Sequence, residues 1–355
     1  METLTPELEA LVGKVITDLG GTSNALLVII GDRLGLYETL AKIGPLTPAE
    51  LAAHTSTTER YIREWLCAQA ASGYVEYDAA TEQFSMTPEQ AMLFADENSP
   101  LYMAGGFFSA ASLMRSDEEL AEAFRTGEGI AWGDHHECLF CGTEKFFRPS
   151  YANHLVQDWI PAINGVQEKL ERGAAVADIG CGHGCSTLIM ARAYPNSEFV
   201  GFDAHEPSIR RASQLAAEEG LSNVRFEVAT AQDFPRRLDA EGYDFIATFD
   251  ALHDMGDPRG AARRVRQSLK RDGKWMLIEP AAGDRLEENL HPVGRVYYAF
   301  STAVCVPSAL SQEGGESLGA QAGPSRLTDV ITSGGFSKVR VAEKTPFNIV
   351  LEAAV

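Results

Sequence analysis

The 355-residue sequence has no apolar run near the ~20 residues that a membrane-spanning helix needs. Its nearest approach, "NALLVII", is too short and sits in a helical pattern. Basic residues are scarce: 30 Lys and Arg stand against 50 Asp and Glu, a net charge of −20. Binding phosphates needs clustered Lys and Arg, so nucleic acid is not expected as the main partner. The opening "METLTPELEALVGK" lacks a basic segment followed by an apolar one, so no signal peptide is expected. The six cysteines (Cys67, Cys138, Cys141, Cys181, Cys185, Cys305) then read as thiols of a reducing cytoplasm. Only Cys138 and Cys141 form a C-x-x-C, and a structural zinc site needs a matching second pair, so no metal is expected. There is no internal repeat and no low-complexity segment. What remains is the composition of an ordinary soluble globular protein, 45% hydrophobic and 23% charged, long enough for two domains.

The two halves follow different patterns. Residues 1–102 read as a mostly helical winged-helix domain. "NALLVIIGDRLGLYETLAKIG" has helical spacing up to Gly44. Thr47, Pro48 and Glu50 form a capping box for the next helix. "TERYIREWLCAQAASG" is a further helix stopped by Gly73, and "YVEYDAATEQFSMTP" is a hairpin. Such an arrangement suggests DNA, but residues 1–99 hold fifteen acids against five bases. The helix that would enter the groove matches Arg60 and Arg63 with Glu59 and Glu64. Packing against a second copy, giving a homodimer, is the preferred reading. Residues 103–160 are a helical, aromatic-rich stretch. Residues 161–355 alternate strand and helix: "AAVADIG", "EFVGFD", "VRFEVA", "YDFIATFD" and "KWMLIEP" are strands between helices. This predicts an α/β, Rossmann-like doubly wound sheet of seven strands. "SKVRVAEKT" and "FNIVLEAA", split by Pro346, are too close for a crossover and form an antiparallel final pair.

In "VADIGCGHG" (176–184) the glycines fall at Gly180, Gly182 and Gly184. A nicotinamide loop has G-x-G-x-x-G spacing; here it is G-x-G-x-G, with Asp178 two residues before the turn. An acid there suits a ligand with an ammonium group and no phosphate, as in S-adenosylmethionine. Asp203, closing "EFVGFD", can accept from both ribose hydroxyls.

With "FVGFD", "VATAQDFP", "FDALHDMGDP" and the closing hairpin, the chain resembles the class I S-adenosylmethionine-dependent methyltransferases. It is closer still to a bacterial group with an N-terminal winged-helix domain. The resemblance implies that Asp178, Gly180, Gly182 and Gly184 line the methionine end of the cofactor. It implies Asp203 for the ribose and Ala204 beside the adenine. The register that often holds an acid for the adenine amine has Thr230 here, with Ala231 and Phe234 following. Asp250 closes the fourth strand on the same cleft.

A hydroxyl or ammonium acceptor must also lose a proton, and a neutral histidine suits that task. "FDALHDMGDP" resembles the "HDW-D" segment of plant small-molecule O-methyltransferases, with Met255 for tryptophan. That resemblance implies His253 as general base and Glu279 as the acid that orients it. The alternative is a histidine that braces the loop, with Asp254 or Asp257 capping the next helix. Trp132, His135, His136 and Phe146 are candidates to line a small-molecule acceptor pocket, with Arg295, Tyr298, Tyr297 and Gln312 facing it. The leading expectation is methyl transfer to a small molecule, first to oxygen. N-, C- or arsenic methylation, a scaffold without turnover and a ligand-sensing winged-helix regulator stay open.

Overall fold

The computed structural model describes residues 5–236 and 242–355. The first four residues, part of the domain and signal-peptide readings above, lie outside them. The chain divides into two compact units. Unit 1 takes the residues up to 115 together with 137–150, and unit 2 takes 116–136 and 151–355. The aromatic-rich stretch 103–160 is therefore shared between them.

Unit 1 opens with α1 (Pro6–Arg33), whose first turn is capped by Thr5. The long helix expected to run to Gly44 is two helices. Gly35, at φ +63°, turns the chain left-handed, and α2 (Leu36–Ile43) starts after it. α3 (Pro48–Thr55) carries the predicted capping box, Thr47 bonding the Glu50 N–H and Glu50 returning to Thr47. α4 (Glu59–Ala71) follows, then the short hairpin of β1 (Glu76–Asp78) and β2 (Gln83–Ser85). Val28, Leu36, Leu40, Leu51, Leu66 and Phe84 form the core of this unit. Gly31 lets α1 pass close: a Cβ there would lie 2.5 Å from the Trp65 ring. One polar chain crosses the core, Tyr37 donating to Gln69 at 2.6 Å and Gln69 to Asn24 at 2.8 Å. These bonds offset most of the cost of burying the chain, and Asn24 Nδ2 at its end has no hydrogen-bond partner among the described residues.

Unit 2 is built on a seven-stranded sheet. Its strands are β3 (Ala175–Ile179), β4 (Glu198–Asp203), β5 (Val224–Val228), β6 (Tyr243–Phe249), β7 (Leu269–Pro280), β8 (Lys338–Lys344) and β9 (Asn348–Ala354). The order is β5-β4-β3-β6-β7-β9-β8. β3 to β7 are parallel, and β9 runs antiparallel to both β7 and β8, as the short link at Pro346 predicts. All five residues of β3 are buried, as a strand covered by helices on both faces requires. Full burial of Phe202, Phe245, Trp275 and Leu277 stabilises this layer by roughly 2–3 kcal/mol each. The order reverses between β3 and β6. The crevice of an open α/β sheet lies at such a point, beyond the carboxyl ends of the strands.

Candidate active site

The loop after β3 makes the first wall. Gly180, Gly182 and Gly184 all have left-handed φ, at +76°, +52° and +78°. Two of them are also squeezed. A Cβ on Gly180 would meet Ala251 at 2.8 Å, and one on Gly184 would meet the Phe226 ring at 2.6 Å. Gly182 has nothing within 4 Å, so the loop is open there. Asp203 ends β4 facing this opening. Its two oxygens accept the N–H of Gly182 at 2.9 Å and of His205 at 2.8 Å. The carboxylate is held in place and keeps lone pairs for further donors.

Asp178 is fully buried in β3. One oxygen accepts from the hydroxyls of Ser186 and Thr187, each at 2.7 Å. The other, Oδ1, has no hydrogen-bond partner among the described residues. Burial pushes this carboxyl up to about 6, and the two hydroxyls only partly offset it. Burial likewise raises Asp203. An unpartnered buried acid, a pinned acid and an open glycine turn are features that a cationic nucleoside ligand would satisfy, so the residues present fit S-adenosylmethionine.

The other expected cofactor residues divide. Ala204 is exposed at the start of the next turn, and Ala231 is buried. Thr230 is exposed, and its N–H and hydroxyl both bond Asp233 Oδ1, at 2.8 and 2.6 Å. Phe234 packs in the core against Phe202, with centroids 5.4 Å apart. Asp250 has φ +48°, a conformation uncommon for a residue with a Cβ. It is claimed by protein donors: Tyr151 Oη at 2.7 Å and Asn348 Nδ2 at 3.0 Å. Burial, reinforced by Glu279, pushes its carboxyl up to about 8.

His253 and Glu279 meet as the resemblance implied. His253 Nδ1 lies 2.5 Å from Glu279 Oε2, while Glu279 Oε1 accepts the Leu252 N–H at 3.0 Å. Both side chains are buried. His253 Nε2 faces Asp254 Oδ1 at 3.1 Å and the Cys305 thiol. Burial lowers the basicity of the imidazole, but Asp254 and Glu279 outweigh it and the net direction is well upward. Of the two helix-cap candidates, Asp257 takes the role, accepting the Gly260 N–H at 2.6 Å.

The expected acceptor-pocket residues are spread out. Trp132 starts a 3₁₀ turn whose Gly133 lies close to the His205 ring. His135 is buried, its Nε2 has no hydrogen-bond partner among the described residues, and burial lowers its basicity against the pull of Asp254. His136 is half-buried. The backbone beside these residues is fastened: Ile130 N–H bonds the Pro307 carbonyl at 3.0 Å. A Cβ on Gly129 would lie 2.0 Å from the Ser311 nitrogen. Gln312 ties the His253 loop, accepting from Gly256 N–H at 3.0 Å and donating to the Asp254 carbonyl at 2.8 Å. Phe146 belongs to unit 1, with its ring 5.1 Å from Phe147. On the helix Pro292–Phe300, Arg295 is exposed and Tyr298 half-buried, while Tyr297 is buried and donates to the Phe347 carbonyl at 2.7 Å. A cavity of 440 Å³ opens past β7, lined among others by Asp284, Glu288, His291 and Lys344, and by none of the residues expected from the sequence.

Sequence reasoning missed Tyr151, Asn348 and Cys305. Asn348 opens an apolar strand and Cys305 lies in an apolar helical run, so neither carries a local polar signal. Cys305 ends a π-helical turn, Ser301–Cys305, a form often found at functional sites.

Residues 170–322 match the model of a methyltransferase domain, and residues 22–95 match an Rv2258c-like winged helix-turn-helix domain. An uncharacterised methyltransferase, YcgJ, of Bacillus subtilis is 36% identical over 104 residues, which are 29% of this chain and 40% of that protein. The chain spans about half, or less, of the first curated relatives it matches. Human N-acetylserotonin methyltransferase, solved in complex with S-adenosylmethionine, has a TM-score of 0.67 at 18% identity, covering 100% of this chain and 99% of that one. An O-methyltransferase family protein of Burkholderia thailandensis has a TM-score of 0.68 at 17% identity, covering 99% of each chain. At such identities the likeness to these structures is one of fold. The chain thus joins an Rv2258c-like winged helix-turn-helix domain to a methyltransferase domain of the class I fold.

Proposed function

We propose that the protein is an S-adenosylmethionine-dependent methyltransferase that acts on a small molecule, first of all on a hydroxyl group. The observation that carries the reading is the Gly182–Asp203 contact. An open left-handed glycine holds, through its N–H, the carboxylate that ends β4, beside the unpartnered Asp178 oxygen. When bound, the cofactor supplies an activated methyl group on a sulfonium. The chain's own residues bind and orient it: Asp203 takes the ribose hydroxyls, and Asp178 provides negative charge beneath the cationic end. Gly180, Gly182, Gly184, Ala204, Thr230 and Ala231 border the cofactor. Asp250, held by Tyr151 and Asn348, shapes the floor of the crevice. Holding the acceptor in line is the main catalytic lever. His253, oriented by Glu279, is proposed to handle the proton of the acceptor. Trp132, His135, His136, Arg295 and Tyr298 are proposed to meet the acceptor.

The likeness to O-methyltransferase structures supports oxygen as the first acceptor atom to test. The regulator reading is weakened by α4, where Arg60 and Arg63 are each paired within the helix, to Glu64 and Glu59. A homodimer is proposed from α1, which exposes Leu8, Leu11, Val12, Val15, Ile16 and Leu19. The six unbridged thiols accord with a reducing, cytoplasmic setting. No helix among the described residues is long and apolar enough to cross a membrane.

Calorimetric titration with S-adenosylhomocysteine tests the cofactor site. Wild type is expected to bind, and Asp203→Ala to bind at least about 100-fold more weakly, the loss of two charge-assisted contacts. Equal binding by both proteins, or none by wild type, overturns the site. Methyl transfer to a panel of phenols and other hydroxylated metabolites then tests the acceptor class.

A further inference from the structure

We infer, on the methyl-transfer reading, that His135 determines specificity: it selects an acceptor that carries a second hydroxyl beside the one that is methylated. The place of His135 follows from the segment that carries it. Ile130 N–H bonds the Pro307 carbonyl at 3.0 Å, and Gly129 is pressed against Ser311. Pro307 belongs to the helix Val306–Leu310. Just beyond that helix, Gln312 grips the turn after β6 through Gly256 and the Asp254 carbonyl. At the other side, a Cβ on Gly133 would lie 3.3 Å from the His205 ring, in the turn after β4. β3 lies between β4 and β6 in the sheet. A segment that reaches the turns after both has to cross the glycine loop after β3. Residues 129–135 thus form a strap over the mouth of the crevice.

His135 ends this strap. Its side chain belongs to a residue only 7% exposed, and its Nε2 has no hydrogen-bond partner among the described residues. Asp254 exerts the strongest charge influence on the ring, ahead of Asp134 beside it in the chain, so the ring lies toward the turn that carries His253. Burial outweighs that pull and favours the neutral imidazole. The Nε2 of a neutral imidazole is a donor in one tautomer and an acceptor in the other. A hydroxyl meets either form, whereas a carbonyl meets only the first. A buried nitrogen left unpaired is costly, so the site favours an acceptor that brings a hydroxyl to it.

His253 Nε2 lies 3.1 Å from Asp254 Oδ1, so both histidines neighbour one carboxylate. Such proximity suits two hydroxyls on adjacent carbons. Holding one of them on His135 orients the other for transfer. The lone pair of the reacting oxygen forms the bond to the methyl carbon, and the electron pair of the broken carbon–sulfonium bond stays on the cofactor sulfur. The hydroxyl proton leaves to solvent by way of His253.

The test is calorimetric binding of catechol and of phenol, which differ by one hydroxyl, to the full chain in the presence of S-adenosylhomocysteine. Wild type is expected to bind catechol at least about tenfold more tightly. His135→Leu is expected to bind the two probes within about threefold of each other, and His135→Gln, which offers an amide near the place of Nε2, to keep most of the preference. A wild-type preference below tenfold, binding of neither probe, or a tenfold preference kept by His135→Leu overturns the inference. Should His135→Leu fail to fold, the Nε2 resonance of His135 in wild type decides. A shift with catechol and none with phenol supports the role, and equal shifts overturn it. Binding is read without turnover, so a chain that prefers catechol but transfers no methyl group counts against the methyl-transfer reading and not against His135.

Discussion

Two buried acidic regions of the same sheet have opposite fates. Toward the start of β7, Glu352 of β9 is 5% exposed at its side chain and fully paired, with Lys274 Nζ at 3.0 Å, Asn164 Nδ2 at 3.0 Å and the Arg340 guanidinium. Burial pushes its carboxyl up, but these partners outweigh burial and hold it below the usual range. At the carboxyl ends of the strands, Asp178 and Asp250 are pushed up to about 6 and about 8, and neither has a lysine or arginine as a hydrogen-bond partner among the described residues. A buried charge is stable only when paired. The first region is complete in itself; in the second, Asp250 is held by neutral donors and Asp178 Oδ1 has no hydrogen-bond partner among the described residues. Strained or unsatisfied groups of this kind cluster at functional sites, and the glycine loop lies beside these acids.

The largest effect expected from breaking this contrast is Gly184→Ala. A Cβ meets Phe226 at 2.6 Å on a backbone at φ +78°. Overpacking and the left-handed conformation together cost about 3 kcal/mol, readable by chemical denaturation.

The Asp178 carboxyl gives a pH test. Its pKa is higher folded than unfolded, so the folded state holds the proton more tightly. Wild-type stability relative to Asp178→Asn is therefore highest below about pH 4, falls by up to about 3 kcal/mol toward pH 6, and is flat above. A cationic ligand favours the ionised form, so its affinity rises over the same window. Wild type gaining on the variant as pH rises through that window would mean that burial is not the dominant influence on Asp178.

Glu352→Ala sharpens the comparison from the other side. It leaves Lys274 and Arg340 half-satisfied near the surface and is expected to cost about 2 kcal/mol of stability. S-Adenosylhomocysteine affinity should stay unchanged; a matching loss of affinity would make the two regions one coupled unit. The smallest effect on stability is expected for Gly182→Ala, about 1 kcal/mol, since only the backbone conformation resists it. Its signature is instead a tenfold or greater loss of cofactor affinity, because the methyl fills the opening. Unaltered affinity would remove Gly182 from the cradle.

Much of the fold was legible locally. Strand–helix alternation, the capping box at Thr47 and Glu50, and the short link at Pro346 each impose structure within a few residues. The glycine spacing with Asp178 and Asp203 was legible for the same reason, since each lies at or just past the end of a strand, where the turn into the next helix is set locally. The break at Gly35 was not read because the apolar period runs through it and only the backbone dihedral marks the turn. His253 and Glu279 were paired at the sequence level only through the resemblance to the plant O-methyltransferases; they meet because the turn Leu252–Asp254 after β6 lies beside the end of the neighbouring β7.

The sequence by itself determined the parallel sheet, its antiparallel end, the left-handed turn after β3 and the acid at the end of β4. All follow from periodicity, glycine freedom and loop length, which act over short stretches of chain. Only the tertiary structure decided that Asp250 is claimed by Tyr151 and Asn348, and that Asp254 and Cys305 surround the far side of His253. Those contacts join elements far apart in sequence. Their approach is set by how side chains fill the space between packed helices and sheet, which no local pattern encodes.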